Sequence, residues 1–575
     1  MKRENLVIHQ DNSEKRPTEV LPERYYLDNF LSIVDIVTHR YEDLLTNTEK
    51  EWLASFSALA TNAKLLTVRL LSRKGNWFRR DKLHYDEISD IDEAIQELVE
   101  QNMISVTRTP PVLVAVDLMT KPELIKHFSS IAEHASNALK PSAKKADLID
   151  EIVVLLEGKE IPPMTSDCLC ISHDVLPVFL LLYFGNSRQD LSQFVLSDLG
   201  IYRFERVSLL YRDRLFNSRD QVQDWLIFST LSDDLFKLTE NKEVKSSLSM
   251  LNALPPKPSW SPLSRKWDRL ANQLARDAER VDDLKTAATL FAQSNLPPAR
   301  ERLARIALKQ SDLNGACNWI EAMLRSPITE DEKEVAQRLA RQIVKKAPKT
   351  SVLLPPLLSE NTAVPPQEFA TNMASMDIDQ RVERVAALAF EAQGWNVWFC
   401  ENAVLNAVFG LLLWDIIFAP IKGAFMHPFQ RSPRDMYSPE FGLNRHSLIE
   451  SRFLELQQGH YSLLKVYDEK IGITNDWVQW HLVDRSLVEA ICSTFTTTQI
   501  IRCVERILFD PKSNRAGHPD LFMVKEKQCQ FVEIKGPGDK LQHHQVRWLN
   551  FLNQQQIESS VLYVNSSSYR ANTAT

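Results

Sequence analysis

The stretch Gly517-His518-Pro519-Asp520-Leu521-Phe522-Met523-Val524, the polar turn Lys525-Glu526-Lys527-Gln528, and the run Phe531-Val532-Glu533-Ile534-Lys535-Gly536-Pro537 decide how this chain reads. Their β-branched and aromatic content predicts strands over 521–524 and 531–535, joined as a hairpin. Side chains alternate along a strand, so Glu533 and Lys535 share one face while Ile534 packs the other. A hairpin of this length brings Asp520 level with Glu533. Two convergent carboxylates make a hard oxygen site for Mg²⁺ or Mn²⁺, and a lysine beside them suits a phosphate or a metal-bound water. Glu and Lys alternating on a strand also occur as a solvated face or a cross-strand ion pair. The preceding Pro-Asp, the apolar flanks, the following Gly-Pro and a polar helix favour the cation site. That helix is predicted over 541–554, carrying His544, Gln545 and Arg547, and a third strand over 560–564. Strand, helix and strand in this order give a small mixed sheet with a right-handed crossover.

The arrangement resembles the PD-(D/E)xK nuclease superfamily and, within it, the VRR-NUC domain. Pro519-Asp520, Glu533-Ile534-Lys535 and Gln545-Val546-Arg547-Trp548 carry the match, with Val-Arg-Trp in place of the Val-Arg-Arg of the domain's name. The upstream run Phe409-Gly410-Leu411-Leu412-Leu413-Trp414-Asp415-Ile416-Ile417-Phe418 is similar to the Fanconi-associated nuclease family, specifically its bacterial members. The resemblance implies a structure-specific 5′-flap endonuclease and 5′→3′ exonuclease of phosphodiesterase I type, linked to repair of DNA interstrand crosslinks. It implies that Asp520, Glu533, the main-chain carbonyl of Ile534 and Glu383 hold one or two Mg²⁺ or Mn²⁺ ions. Glu383 is the third carboxylate that such enzymes supply from a helix before the first core strand, with Glu391 as the alternative. Lys535 then stabilises charge at phosphorus, and Gln545 orients water or phosphate. A basic pocket for a flap's 5′-terminal phosphate is also implied. Arg265 and Arg269, in and beside Trp267-Asp268-Arg269-Leu270-Ala271, are its candidates, and His544 stands where the family has a lysine. Two other readings compete: an inert DNA-binding scaffold, and a sequence-specific nuclease of the restriction type. The intact Asp, Glu and Lys argue against the first, and the long helical N-terminal part, suited to reading shape, against the second.

At 575 residues the chain holds several domains. We expect a helical DNA-binding domain over 1–110, a SAP-like DNA-binding element over 111–165, a helical connector over 166–255, TPR-like helices and a linker over 256–366, and an α/β nuclease domain over 367–575. The net charge of −7 is unusual for a DNA-binding protein, but the basic residues cluster. Lys64, Arg69, Arg73, Lys74, Arg79, Arg80 and Lys82 face only Asp81, with Trp77 and Phe78 among them. Such a run suits phosphates and stacked bases, or forms the solvated face of an amphipathic helix with Trp77 as core; its similarity to the family's N-terminal DNA-binding region favours the former. Lys144 and Lys145 open the second of two short helices that read as a SAP-type motif or a plain helical hairpin. The expected partner is branched or flapped DNA, with a protein surface on the TPR-like helices and no membrane. The charged N-terminus shows no signal peptide, and the longest apolar runs are too short to span a bilayer. Seven scattered cysteines suit a reducing interior. Cys168, Cys170 and His173 read as buried thiols and a histidine rather than a zinc site, because no second ligand pair follows. Lacking the zinc finger of eukaryotic members, the chain is expected in a bacterial cytoplasm, near the nucleoid; a eukaryotic member would be nuclear.

Overall fold

The computed structural model describes residues 24–134, 139–156, 161–172, 174–186, 203–346, 365–373 and 382–566. The chain forms two compact units, Met1–Tyr202 and Arg203–Thr575. Residues 1–23, His173, most of the linker before 366 and residues 374–381 of the expected nuclease domain lie outside the described residues.

In the first unit the opening helical stretch is divided in two, Tyr25–Tyr41 and Asn47–Ala58. Thr46 breaks it: the Thr46 backbone N–H donates to the Glu49 carboxylate at 2.9 Å and the Glu49 N–H to the Thr46 hydroxyl at 3.3 Å, a reciprocal cap that starts a new helix. The basic run is split as well. Its first part belongs to helix Thr61–Leu71, and its second forms strand β1, Trp77–Arg79, followed by a tight turn at Arg80–Lys82. Past helix Ile91–Glu100, Asn102 takes a φ of 55°, and the chain leaves as β2, Ile104–Thr107. Strand β3, Cys168–Ile171, lies between β1 and β2 and pairs antiparallel with both. Helices Val112–Leu118, Lys121–His134 and Lys145–Leu155 close a core around Leu124, Phe128, Leu148 and Ile152.

In the second unit, after β4 (Arg203–Phe204) and the long helix Arg219–Glu240, helices Ser261–Arg280, Leu284–Gln293, Ala299–Lys309, Leu313–Arg325 and Glu330–Lys346 pack each against the next. Strand β5 is Gln367–Met373, β6 is Asn396–Phe399, and β7, Ile473–Thr474, pairs with β4. Then come β8 (Leu521–Lys525), β9 (Gln528–Lys535) and β10 (Glu558–Ser566). The five-stranded sheet runs β5-β10-β9-β8-β6. β10 is parallel to β5 and β9, whereas β8 is antiparallel to β9 and β6. Alternation divides its side chains between two cores. Leu521, Met523, Val532 and Ile534 pack with Ala386 of helix Val382–Ala392, while Phe522, Val524 and Phe531 join a larger helical core with Trp548 and Leu552. No helix among the described residues is long and apolar enough to cross a membrane.

The apolar run near 410 is the centre of that larger core. Every residue of helix Val404–Leu412 is buried, and the Phe409 ring lies 4.3 Å from the Trp477 ring centre. Gly410 permits this approach, since a Cβ there would stand 2.7 Å from Val478 Cγ2 and 2.9 Å from Trp477 Cβ. We therefore expect Gly410→Ala to destabilise the chain by about 1–3 kcal/mol through overpacking, seen as a lowered Tm.

Candidate active site

The register of β8 and β9 aligns the two acids. Leu521 pairs with Val532, so the next position outward sets Asp520 opposite Glu533. The Ile534 backbone N–H donates to Asp520 Oδ2 at 2.8 Å, and Cys400 N–H donates to the Asp520 carbonyl at 2.9 Å. Glu533 is 1% exposed and Lys535 8%. On Glu533, Oε1 accepts from Lys535 Nζ at 2.8 Å and from Gln545 Nε2 at 2.5 Å. Its Oε2 is buried with no hydrogen-bond partner among the described residues.

Gln545 is aimed by the start of its helix, His543–Gln554, where the Gln542 N–H donates to Gln545 Oε1 at 3.0 Å. The loop before Asp520 is equally fixed. Gly517 has a φ of +86°, and a Cβ there would lie 2.9 Å from the backbone of His544. His518 is buried, and desolvation pushes its imidazole down to about 4, so it is neutral. Its Nε2 donates to the Asn514 carbonyl at 3.0 Å, and its N–H donates to Asn402 Oδ1 at 3.0 Å. After β9, Asp539 Oδ2 accepts from Gly536 N–H at 3.1 Å and so fixes the Gly-Pro turn.

The electrostatics report crowded negative charge. Burial, opposed by the Ile534 hydrogen bond and Lys535, and aided by Glu401 and Glu383, pushes the Asp520 carboxyl up to about 6. Burial and then Asp520 push Glu533 up to about 7, with Lys535 opposing and Glu401 adding to the rise. Among the described residues no three side chains close into a ready metal cage. A buried bare carboxylate oxygen beside a second raised acid nevertheless fits a divalent cation, which would satisfy both.

Two further acids act on the pair. Glu383 sits in the first turn of helix Val382–Ala392, whose Val382 lies beside Gly536 at the end of β9, and acts on Asp520 through its charge. Glu401, which the sequence reading passed over, acts on both Asp520 and Glu533, and more strongly than Glu383 on Asp520. It follows β6, the strand paired with β8. An acid next to Asn402, just past a strand beside β8, was the signal available.

The other candidates divide. Arg265, Lys266, Arg269, Lys422 and Arg434 line a cavity of about 340 Å³, with Trp225 and Trp260 on its walls. Arg265 is ion-paired there with Glu440, while Asp268 is buried against Lys257 at 2.7 Å rather than against Arg269. His544 is not in this cavity; it packs against Gly517, and burial and Arg547 push its imidazole down. In the first unit the count of unopposed charges needs correction. Arg69 pairs with Glu87, Arg80 with Asp92, and Arg79, 6% exposed, with both Asp81 and Glu123. These acids lie beyond the basic run, except Asp81, and the fold brings them back to it. Arg73, Lys74, Trp77 and Lys82 line a cleft of about 490 Å³, in which Trp77 also packs on the core beneath. Lys144 is exposed at the start of its helix, and Lys145 Nζ donates to the Asp117 carbonyl at 3.1 Å.

Comparison with known proteins gives the same result along the whole chain. The family described as "FAN1, HTH domain" matches residues 24–105, and the VRR-NUC domain matches residues 460–566. Fanconi-associated nuclease 1 homolog of Pseudomonas aeruginosa is 32% identical over 95% of this chain and 96% of its own length. The Oryza sativa homolog is 24% identical over 91% of this chain, and the Homo sapiens protein 22% identical over 97%; the chain spans 61% and 64% of those longer relatives. The crystal structure of paFAN1 bound to 2nt 5′ flap DNA with a gap superposes with a TM-score of 0.75 at 30% identity, covering 95% of this chain and 99% of that one. On its sequence, its sheet and its pair of aligned acids, this chain belongs to the Fanconi-associated nuclease family.

Proposed function

We propose that this chain cuts 5′-flapped DNA by divalent-metal-assisted hydrolysis of a phosphodiester bond, leaving a 5′-phosphate and a 3′-hydroxyl. The observation that carries the reading is Glu533: a buried carboxylate, one oxygen held by Lys535 and Gln545 and the other bare, level with a second raised acid. Asp520, Glu533 and the Ile534 carbonyl would hold Mg²⁺ or Mn²⁺, with Glu401 as the third acid and Glu383 behind it. When bound, the metal lowers the pKa of a water and neutralises charge on the scissile phosphate.

The chain's own groups do the rest. Lys535 holds Glu533 in place and puts a positive charge where negative charge grows at phosphorus. Gln545 fixes the carboxylate from the opposite side. His518, neutral and locked, keeps the Asp520 loop against the sheet. The cleft of Arg73, Lys74, Trp77 and Lys82 takes DNA backbone and an exposed base, and Lys144 and Lys145 of the SAP-like helix take further phosphates. The committed cations Arg69, Arg79 and Arg80 shape that surface more than they contact it. The cavity of Arg265 and Arg269 suits a terminal phosphate, since arginine forks donate paired bonds to its oxygens. A phosphodiesterase I type of activity, a place in crosslink repair, and a protein partner on the TPR-like helices belong to the same reading.

Asp520→Ala should abolish Mg²⁺- or Mn²⁺-dependent cleavage of a labelled 5′-flap while flap binding persists; joint loss of binding and fold would sink the metal-ligand role. Lys74→Ala with Lys82→Ala should weaken DNA binding and shrink the slope of log K against log salt by roughly two, at about 0.9 per lost phosphate contact, whereas Arg79→Ala should lower Tm instead. Asp520 and Glu533 titrate higher in the fold than in the unfolded chain, so without metal their contribution to stability falls as pH rises from about 4 through 6 and 7. In EDTA, Glu533→Gln should therefore gain Tm over the parent at pH 8 and lose that advantage at pH 5, and Mn²⁺ should raise the parent's Tm most at the higher pH.

A further inference from the structure

The helix Glu330–Lys346 opens on acids, and its first turn reaches the nuclease fold. Glu330 is buried; its backbone N–H donates to Asp510 Oδ2 at 3.1 Å, and its Oε1 lies 3.4 Å from both Arg506 Nη1 and Asn514 Nδ2. Arg547 reaches out from the nuclease side to Asp331 at 3.4 Å and Glu334 at 3.3 Å. Arg547 stands two residues after Gln545 on one helix, and Gln545 holds Glu533 Oε1. Arg506 lies over the Trp548 and Phe551 rings of that same helix, at 4.9 and 4.8 Å from their centres.

We propose that Arg547 is a positioning residue: by gripping Asp331 and Glu334 it locks the helix that carries Gln545, and so the orientation of Glu533. A guanidinium 17% exposed and shared between two carboxylates is engaged with protein rather than open to a phosphate. The last of the packed helices thereby becomes part of the frame of the catalytic centre. Asn514 supplies a second path on the same side, since its amide donates to Glu330 and its carbonyl accepts from His518, two residues before Asp520.

The proposal rests on Glu533 as a metal-holding acid, and a charge swap in the full chain tests it. Arg547→Glu should lower kcat on a 5′-flap at least tenfold, with KM and the salt slope of binding unchanged, and adding Glu334→Arg should restore most of it. Arg547→Lys should keep most activity. Should Arg547→Glu fail to fold, Glu334→Gln, which leaves Arg547 in place, must still lower kcat. A raised KM with a shallower salt slope and no rescue would make Arg547 a DNA contact and overturn the proposal. So would a lowered Tm with kcat intact. A fully active Glu533→Gln would sink the underlying reading, whereas a dead Glu533→Gln beside an unaffected Arg547→Glu would sink this inference alone.

Discussion

Asp520 and Glu533 stand opposite each other at one end of the sheet, where burial opposes the ionisation of both carboxyls and the charge of Asp520 adds to the rise on Glu533. The surroundings relieve this only in part. Lys535 and Gln545 share one oxygen of Glu533, and the Ile534 amide takes one oxygen of Asp520. Glu401 works against them. A centre built this way leaves one oxygen of Glu533 bare, and a cation there would offset the burial of both acids. The neutral His518, the left-handed Gly517 and the Asp539 turn hold the acids in this costly proximity.

Much of the centre was legible because strand geometry is local. Alternation set Glu533 and Lys535 on one face, and hairpin length set Asp520 across from them; the ladder has that pairing. The strands run longer than expected, to Lys525 on one side and from Gln528 on the other, since polar residues near the turn still pair. Glu401 was not legible in this way. It reaches the site through the pairing of β6 with β8, more than a hundred residues apart in sequence, and no local pattern marks such a contact. The choice between Glu383 and Glu401 depends on where a helix and a strand end in space.

The basic run shows the opposite failure. Counting charges along a segment overlooks the acids that folding returns to it. Glu87, Asp92 and Glu123 come from outside the run and take up Arg69, Arg80 and Arg79. What remains facing solvent, Arg73, Lys74 and Lys82 beside Trp77, is a smaller and better defined surface than the sequence implied. Packed helices follow residue 261, where TPR-like helices were expected, and the apolar run near 410, too short to span a bilayer, is a buried helix. The break at Thr46 turned on a reciprocal cap that also stands in the letters Thr-Asn-Thr-Glu.

The loop between β8 and β9 is two residues long, and Glu526 within it adopts a φ of 57° without a glycine. Loop length here acts as a gauge for the chemistry. One inserted residue that slid the ladder by a single step would turn β9 over, burying the acid and the amine among Leu521, Met523 and Ala386 and offering Val532 and Ile534 to the nucleic acid instead. The enzyme's evolution is thus free to vary what that loop is made of, but not how many links it has.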